Sequence, residues 1–380
     1  MYNNPISLAG GEERFVCPQS LALNTYIGCK HDCSYCCAKY LLSPYKHWRR
    51  LEPANVDKIK QTFIQAHSGK PGIIFDLIRQ RIPFRFSNLT DPFQEELERT
   101  YKATYRTLEI LRDYQYPAIL TTKSTLWAEP EYIAILKEFP SVIQMTITTI
   151  DDNLSAKIEP GAPVSSKRVE ALEKGALAGL ITQVRYSPIF PLLSDQPEEA
   201  FKKYSEIGVR DIISEFLRLP VNRKQRAWID GALGYDYLEF LKKNKYPMEV
   251  AGHWIKVTKP FIFDEYLRFK GIAQKYDLNY YICCEERPEL NNWENCCGTS
   301  KYFGFDKCLD WTIQVNGKKF TDKPLSFNGY IAETTCPYVG EYREFFEKGK
   351  HERNLVGLQF DKYTKTYKRL KPPKKVGLFT

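Results

Sequence analysis

Long apolar runs are missing from this chain. No window of its 380 residues approaches the ~18 consecutive apolar residues of a membrane-spanning helix, so neither a bilayer span nor a membrane partner is expected. The opening stretch MYNNPISLAGGEERF has no basic start and no apolar core, so no secretory signal is read and the expected compartment is cytoplasmic. Internal repeats and low-complexity tracts are absent too, which directs the search away from repeat arrays. Charge is only mildly one-sided: 55 basic and 46 acidic residues give +9. That excess suits a polyanionic partner but is small for a dedicated nucleic-acid binder. Cysteines are few, 11, and odd in number, so a pure disulfide framework would leave one over. In a reducing compartment, clustered cysteines read as metal or cluster ligands instead.

What is present is a strand–helix rhythm. Segments 21–28, 84–88, 117–124, 141–149, 181–191 and 209–217 read as strands. Helices are expected at 55–67 with Asn55 as cap, 91–114, 129–139, 165–179 and 197–206. In the second of these, Asp91 is read as N-cap and Pro92 as the first helical residue. Pro188 is expected to end its strand or place it at an edge. Such alternation describes an α/β parallel architecture, closed or partly closed, with polar strand ends at one rim. Residues 15–220 are read as this core. Residues 221–380 are read as a basic, aromatic and cysteine-rich C-terminal extension, with a helix near 262–275 and a strand at 278–284.

Four of the 11 cysteines fall within TYIGCKHDCSYCCAKY, directly after the first strand. Cys29, Cys33 and Cys36 form a CxxxCxxC pattern. Thiolates are soft ligands, and loops this short wrap one cubic iron–sulfur cluster, three ligands leaving one iron open. A zinc knot of Cys29, Cys33 and Cys36 with Cys37 or His31 is the alternative, although zinc sites usually add a distant second pair.

The arrangement GCxxxCxYC after a strand resembles the radical S-adenosylmethionine superfamily, and more closely its spore photoproduct lyase and DNA-repair-photolyase-like subfamily. The likeness continues through NLTDP (88–92), TTKS (121–124), IEPGAPVSSKRVEALEKGALAG (158–179) and VRYSPIFPLLSD (184–195), covering roughly residues 15–217. It implies a partial (β/α)6 TIM-like barrel and a [4Fe-4S] cluster on Cys29, Cys33 and Cys36. S-adenosyl-L-methionine would bind the open iron, with a low-potential donor such as flavodoxin or ferredoxin supplying the electron.

Beside the cysteines, candidate cofactor-binding residues are Tyr35, Asn88, Thr90, Asp91, Lys123, Ser124 and Arg185. Lys123 is expected to meet the cofactor carboxylate, and Arg185 either to do so or to satisfy Glu159. Glu159 and Arg168 are expected to pair structurally, bracing a loop–helix junction. Spore photoproduct lyases carry a hydrogen-donating cysteine near the end of the second barrel strand. The matching stretch here, FRFSNLTDP, has none, which argues against simple thymine-dimer reversal unless a distant cysteine such as Cys17 or one of the C-terminal set swings in. Cys37 replaces the tyrosine that commonly follows the third ligand and is read as a small buried neighbour.

A second constellation lies downstream: Cys283-Cys284, Cys296-Cys297, Cys308 and Cys336. Four loci suit an auxiliary [4Fe-4S] cluster, assigned to Cys283, Cys297, Cys308 and Cys336, or one zinc ion. The expected chemistry is radical modification or repair of a DNA or RNA base, or of a group attached to it, with RKQRAW (223–228) and KYTKTYKRLKPPKK (362–375) as phosphate and stacking elements. Two alternatives stand beside it. One is a radical enzyme acting on a peptide or small metabolite; the other is a non-enzymatic nucleic-acid-binding protein with structural iron–sulfur or zinc sites.

Overall fold

The structure is a computed structural model that describes residues 1–8, 21–42, 50–87, 89–283, 290–292 and 296–304. Its strands in chain order are β1 (Ile6–Leu8), β2 (Leu21–Leu23), β3 (Tyr26–Ile27), β4 (Glu52–Pro53), β5 (Phe84–Phe86), β6 (Ala118–Thr122) and β7 (Ser141–Thr146). Then come β8 (Ile181–Ile189), β9 (Asp211–Phe216), β10 (Leu219–Pro220), β11 (Met248–Ala251), β12 (Trp254–Val257) and β13 (Asn279–Ile282). One eight-stranded sheet has the order β1-β2-β5-β6-β7-β8-β9-β13. Only β1 runs antiparallel to its neighbour; the remaining pairings are parallel. Helices connect the parallel strands, as a parallel ladder requires. The result is the expected partial barrel, with β13 as a seventh parallel strand.

Alternation along the strands divides inside from outside. Leu120, Ile143, Val184 and Ile212 join the main apolar core. Their neighbours Ile119, Val142 and Ile213 face the other way and pack against Cys283, Cys296 and Cys297. Below them, fully buried Asp211 accepts hydrogen bonds from Asn279 Nδ2 (2.9 Å), Lys301 Nζ (3.0 Å) and the Tyr302 hydroxyl. These bonds pin the short helix Thr299–Phe303 against the lumen face of the sheet.

Three local expectations change. The helix expected over 91–114 is two helices, Glu95–Tyr101 and Ala103–Asp113, broken at Lys102 with φ +49°. The break is held by Glu98, whose buried carboxylate accepts from Thr104 N (2.9 Å), Tyr105 N (2.7 Å), the Tyr132 hydroxyl (2.9 Å) and the Tyr26 hydroxyl. A side chain thereby replaces the carbonyls that a continuous helix would offer. Asp91 and Pro92 precede the first helix, whose N-cap is Gln94. Pro188 neither ends β8 nor puts it at an edge: β8 lies between β7 and β9, and the ladder to β9 skips from Tyr186 to Ile189, so the missing N–H falls where pairing is already interrupted. Asn55 does occupy a cap position, without a side-chain cap bond.

Past β9 the chain adds a layer of its own before returning to the barrel. The sheet β10-β12-β11 and the helices Arg223–Leu233 and Tyr237–Lys243 share an apolar cluster that includes Leu219, Ile229, Leu241 and Ile255. This layer brings Arg218 and Trp254 to the carboxyl end of the barrel. The helix Lys259–Lys275 then leads into β13. No helix among the described residues is long and apolar enough to cross a membrane.

Candidate functional site

A cavity of about 420 Å³ opens at the carboxyl ends of the strands, walled by the cysteine loop on one side and by Arg218 and Trp254 on the other. Cys29, Cys33 and Cys36 all line it. The loop that carries them is tied at each turn. Gly28 (φ +74°) and Asp32 (φ +48°) take left-handed backbone, Cys36 N donates to Cys33 O (3.2 Å), and Ser34 N donates to Ile158 O (2.8 Å). The side chain of Gln94 accepts from Lys30 N (2.7 Å) and donates to Gly28 O (3.1 Å). Gly161 N donates to His31 O (3.0 Å), and a Cβ at Gly161 would lie 2.1 Å from Lys30 O. Only glycine allows that backbone approach.

Behind the loop sits a buried charged network. Arg168 Nη1 lies 2.5 Å from Glu159 Oε2, with both side chains fully buried, as the expected brace requires. Glu159 Oε1 also accepts from the hydroxyls of Thr148 (2.9 Å) and Tyr35. Burial would push the Glu159 carboxyl up, but Arg168 and Lys123 outweigh it and hold the group below its ordinary value. Tyr35 lies edge-on to Phe190 at 5.6 Å, fixed between two thiol-bearing turns.

Asp91 acts across the sheet rather than as a cap. Its carboxylate accepts from Phe93 N (2.9 Å), the Thr122 hydroxyl (2.8 Å) and Lys123 N (2.8 Å), and Oδ2 stands 3.4 Å from His31 Nδ1. Burial lowers the His31 pKa below its ordinary value. The Lys123 ammonium lines the cavity 5.6 Å from the Tyr35 ring centroid. Burial opposes its charge, but Cys33 and Glu159 prevail and leave its pKa raised. Burial pushes the Cys33 thiol up to about 12 and the Cys29 thiol well above the ordinary range.

Of the remaining candidates, Thr90 lines the cavity and donates to Gly28 O, tying its strand end to the cysteine loop. Arg185 also lines it, but its partners are Gln144 Oε1 (3.5 Å) and Cys283 Sγ (3.3 Å) rather than Glu159. Ser124 is not part of the wall: its hydroxyl accepts from Leu126 N (3.2 Å). Cys37 is exposed, not a buried neighbour, because it begins the helix Cys37–Leu42 at the rim. In the second constellation Cys283, Cys296 and Cys297 come together; Cys296 Sγ and Cys297 Sγ are 3.6 Å apart. Asn88, Cys17, Cys284, Cys308 and Cys336, and the basic tail at 362–375, lie outside the described residues. Among the described residues, no group of three or more His, Cys, Asp or Glu side chains is arranged as it stands to hold a metal ion.

Sequence reasoning missed His31 as an Asp91 partner, and Arg85, Glu215, Arg218 and Trp254 as walls. Arg85 had a signal: in a strand Phe84–Phe86 of buried phenylalanines, the central residue must face the lumen. Arg218 and Trp254 had none, since only the added layer brings them here.

The fold is thus a mixed α/β partial barrel with a thiol-lined cavity at its carboxyl rim. Among solved structures, it is similar to spore photoproduct lyase complexed with dinucleoside spore photoproduct, with TM-score 0.51, 16% identity, and 73% of this chain and 78% of that one covered. A point mutant of spore photoproduct lyase, with phenylalanine in place of one tyrosine, gives TM-score 0.52 at the same identity and coverage. Two uncharacterized relatives are similar in sequence. One, from Acidianus two-tailed virus, is 26% identical over 217 residues, 52% of this chain and 66% of that protein. The other, from Methanocaldococcus jannaschii, is 27% identical over 179 residues, 46% and 61% respectively. The chain therefore spans under two thirds of the length of these relatives. No family model matches it.

Proposed function

We infer that this protein is a radical S-adenosylmethionine enzyme in which Cys29, Cys33 and Cys36 hold a [4Fe-4S] cluster. The observation that carries this reading is the convergence of these three thiols on one cavity that Lys123 also lines. The donor set fits such a group: three soft ligands on a braced loop, with room left for a further ligand. When bound there, the cluster and S-adenosylmethionine supply one-electron reductive cleavage of the sulfonium and hence a 5′-deoxyadenosyl radical.

The chain's own residues prepare that site. Asp91 fixes the end of β6 through Thr122 and Lys123 N, so the Lys123 ammonium faces the cavity, where it would neutralise the cofactor carboxylate. Thr90 ties the neighbouring strand end to the loop, and Tyr35, held by Glu159, closes the wall beside the ligands. Arg185 lines the same cavity. Of the residues expected to hold the cofactor, Asp91 is already saturated by protein donors and is best assigned to positioning.

The assigned substrate is a nucleic-acid base or a group attached to one. Arg85, Lys123, Arg185 and Arg218 on the wall face two carboxylates, Asp91 and Glu215, and Trp254 offers a stacking surface. The structurally similar lyase was solved with a dinucleoside photoproduct. The test is anaerobic reconstitution, reduction with dithionite and assay for 5′-deoxyadenosine. Product is expected from the native chain and none from Cys33→Ala; no product from an iron-replete native sample overturns the enzyme reading. Salt-sensitive gel shifts with single-stranded DNA or RNA test the substrate class, and their absence transfers the reading to a peptide or small metabolite.

A further inference from the structure

Among the described residues, two arginines are buried in the barrel, and they are neutralised differently. Arg168 is fully buried with Glu159 at 2.5 Å. Arg185 is 9% exposed, and no carboxylate among the described residues pairs with it. Its guanidinium donates instead to the neutral amide of Gln144 (3.5 Å) and to Cys283 Sγ (3.3 Å). A buried guanidinium with no carboxylate among its hydrogen-bond partners is costly, so a structure that keeps one there calls for an anion nearby.

The groups present to supply it are thiols. Cys283 follows β13, and Cys296 and Cys297 enter on the turn before Thr299–Phe303, their sulfurs 3.6 Å apart. Cys296 packs against both flanks, with Cys283, Ile213 and Tyr281 on one side and Cys297, Ile119 and Val142 on the other. Gly298 follows the pair at φ +72°, and a Cβ there would lie 2.8 Å from the Tyr302 ring and 3.0 Å from Gln183 Nε2. The turn that delivers the two thiols is thus specific to glycine. Buried thiolates persist where a soft metal shares their charge.

We propose that Cys283, Cys296 and Cys297 form a thiolate site for a thiophilic metal centre inside the barrel, with Arg185 as its counter-charge. Binding releases the thiol protons and closes the set by side-chain rotation, since the three are not arranged around an ion as they stand. Iron–sulfur and zinc share this ligand chemistry, and the test separates them.

The full chain carrying Cys29→Ala, Cys33→Ala and Cys36→Ala is offered ferrous iron with sulfide in one arm and zinc in the other, anaerobically, then desalted and counted. A stoichiometric centre is expected: iron with labile sulfide in the first arm marks a cluster, and zinc retained only in the second marks an ion. Adding Cys283→Ser and Cys296→Ser should abolish it. Metal in neither arm, or metal retained after those two substitutions, overturns the proposal. Should the fivefold variant fail to fold by circular dichroism, Arg185→Gln in the triple background decides, with retention in chelator competition expected to weaken about tenfold or more. Unchanged retention there contradicts the proposal. Because the first ligand set is absent throughout, the outcome does not depend on whether the native chain cleaves S-adenosylmethionine.

Discussion

At the barrel rim, Cys29, Cys33 and Cys36 sit on a backbone loop whose turns are fixed by Gln94, Gly161 and the end of the helix Asp152–Ile158. In the lumen, Cys283, Cys296 and Cys297 come from two segments and meet through side-chain packing around Arg185. The rim set is therefore local in sequence and bordered by a cavity, whereas the lumen set is assembled at long range. The difference teaches what each needs from the chain: a correct loop at the rim, and a complete barrel with its inserted helix in the lumen.

The largest effect that would break this comparison is expected at the rim brace. Removing one partner of the buried pair, by Arg168→Leu or Glu159→Ala, should cost about 3–5 kcal/mol by urea denaturation, because the other charge stays buried. Next is Gly161→Ala, whose Cβ collides with Lys30 O. It should cost roughly 1–3 kcal/mol and lower iron retention at the rim while the lumen site keeps its metal. Gly298→Ala is the mirror experiment: about 1–2 kcal/mol for left-handed backbone, with metal loss confined to the lumen. Equal loss from both sites in either variant would erase the distinction.

The smallest effect is on pH dependence. The folded Glu159 carboxyl is depressed, so its contribution is complete above the unfolded carboxylate range and is lost as pH falls through the folded value. Glu98 is the opposite case, since burial raises its carboxyl; its contribution is complete below the unfolded value and is lost as pH rises through the folded one. Glu159→Gln should therefore flatten the acid limb of a stability–pH curve, and Glu98→Gln should not.

The convergence of the rim cysteines on one cavity was legible because they lie within eight consecutive residues after a strand, and the brace behind them because Glu159 and Arg168 share one loop–helix junction. The barrel was legible from the strand–helix rhythm, down to the helix Ser165–Leu177 ending just before Gly179. What escaped depends on distance. Arg185 finds its partner 98 positions away, and Asp91 reads as a helix cap until the parallel pairing of β5 and β6 places Thr122 and Lys123 against it. Lys102 breaks a helix that periodicity alone continues, because Glu98 compensates from within the core. The helix Asp152–Ile158 is too short for periodicity to reveal, although Asp151 caps it through Asn153 N and Leu154 N.

The most direct measurement of the central claim is the electron paramagnetic resonance spectrum of the reduced Cys283→Ser/Cys296→Ser chain, recorded without and with S-adenosylmethionine. With Cys29, Cys33 and Cys36 leaving one iron open, the signal should change on adding the cofactor, and Cys36→Ala should remove both signal and change. An iron–sulfur signal unaltered by saturating S-adenosylmethionine would contradict the account.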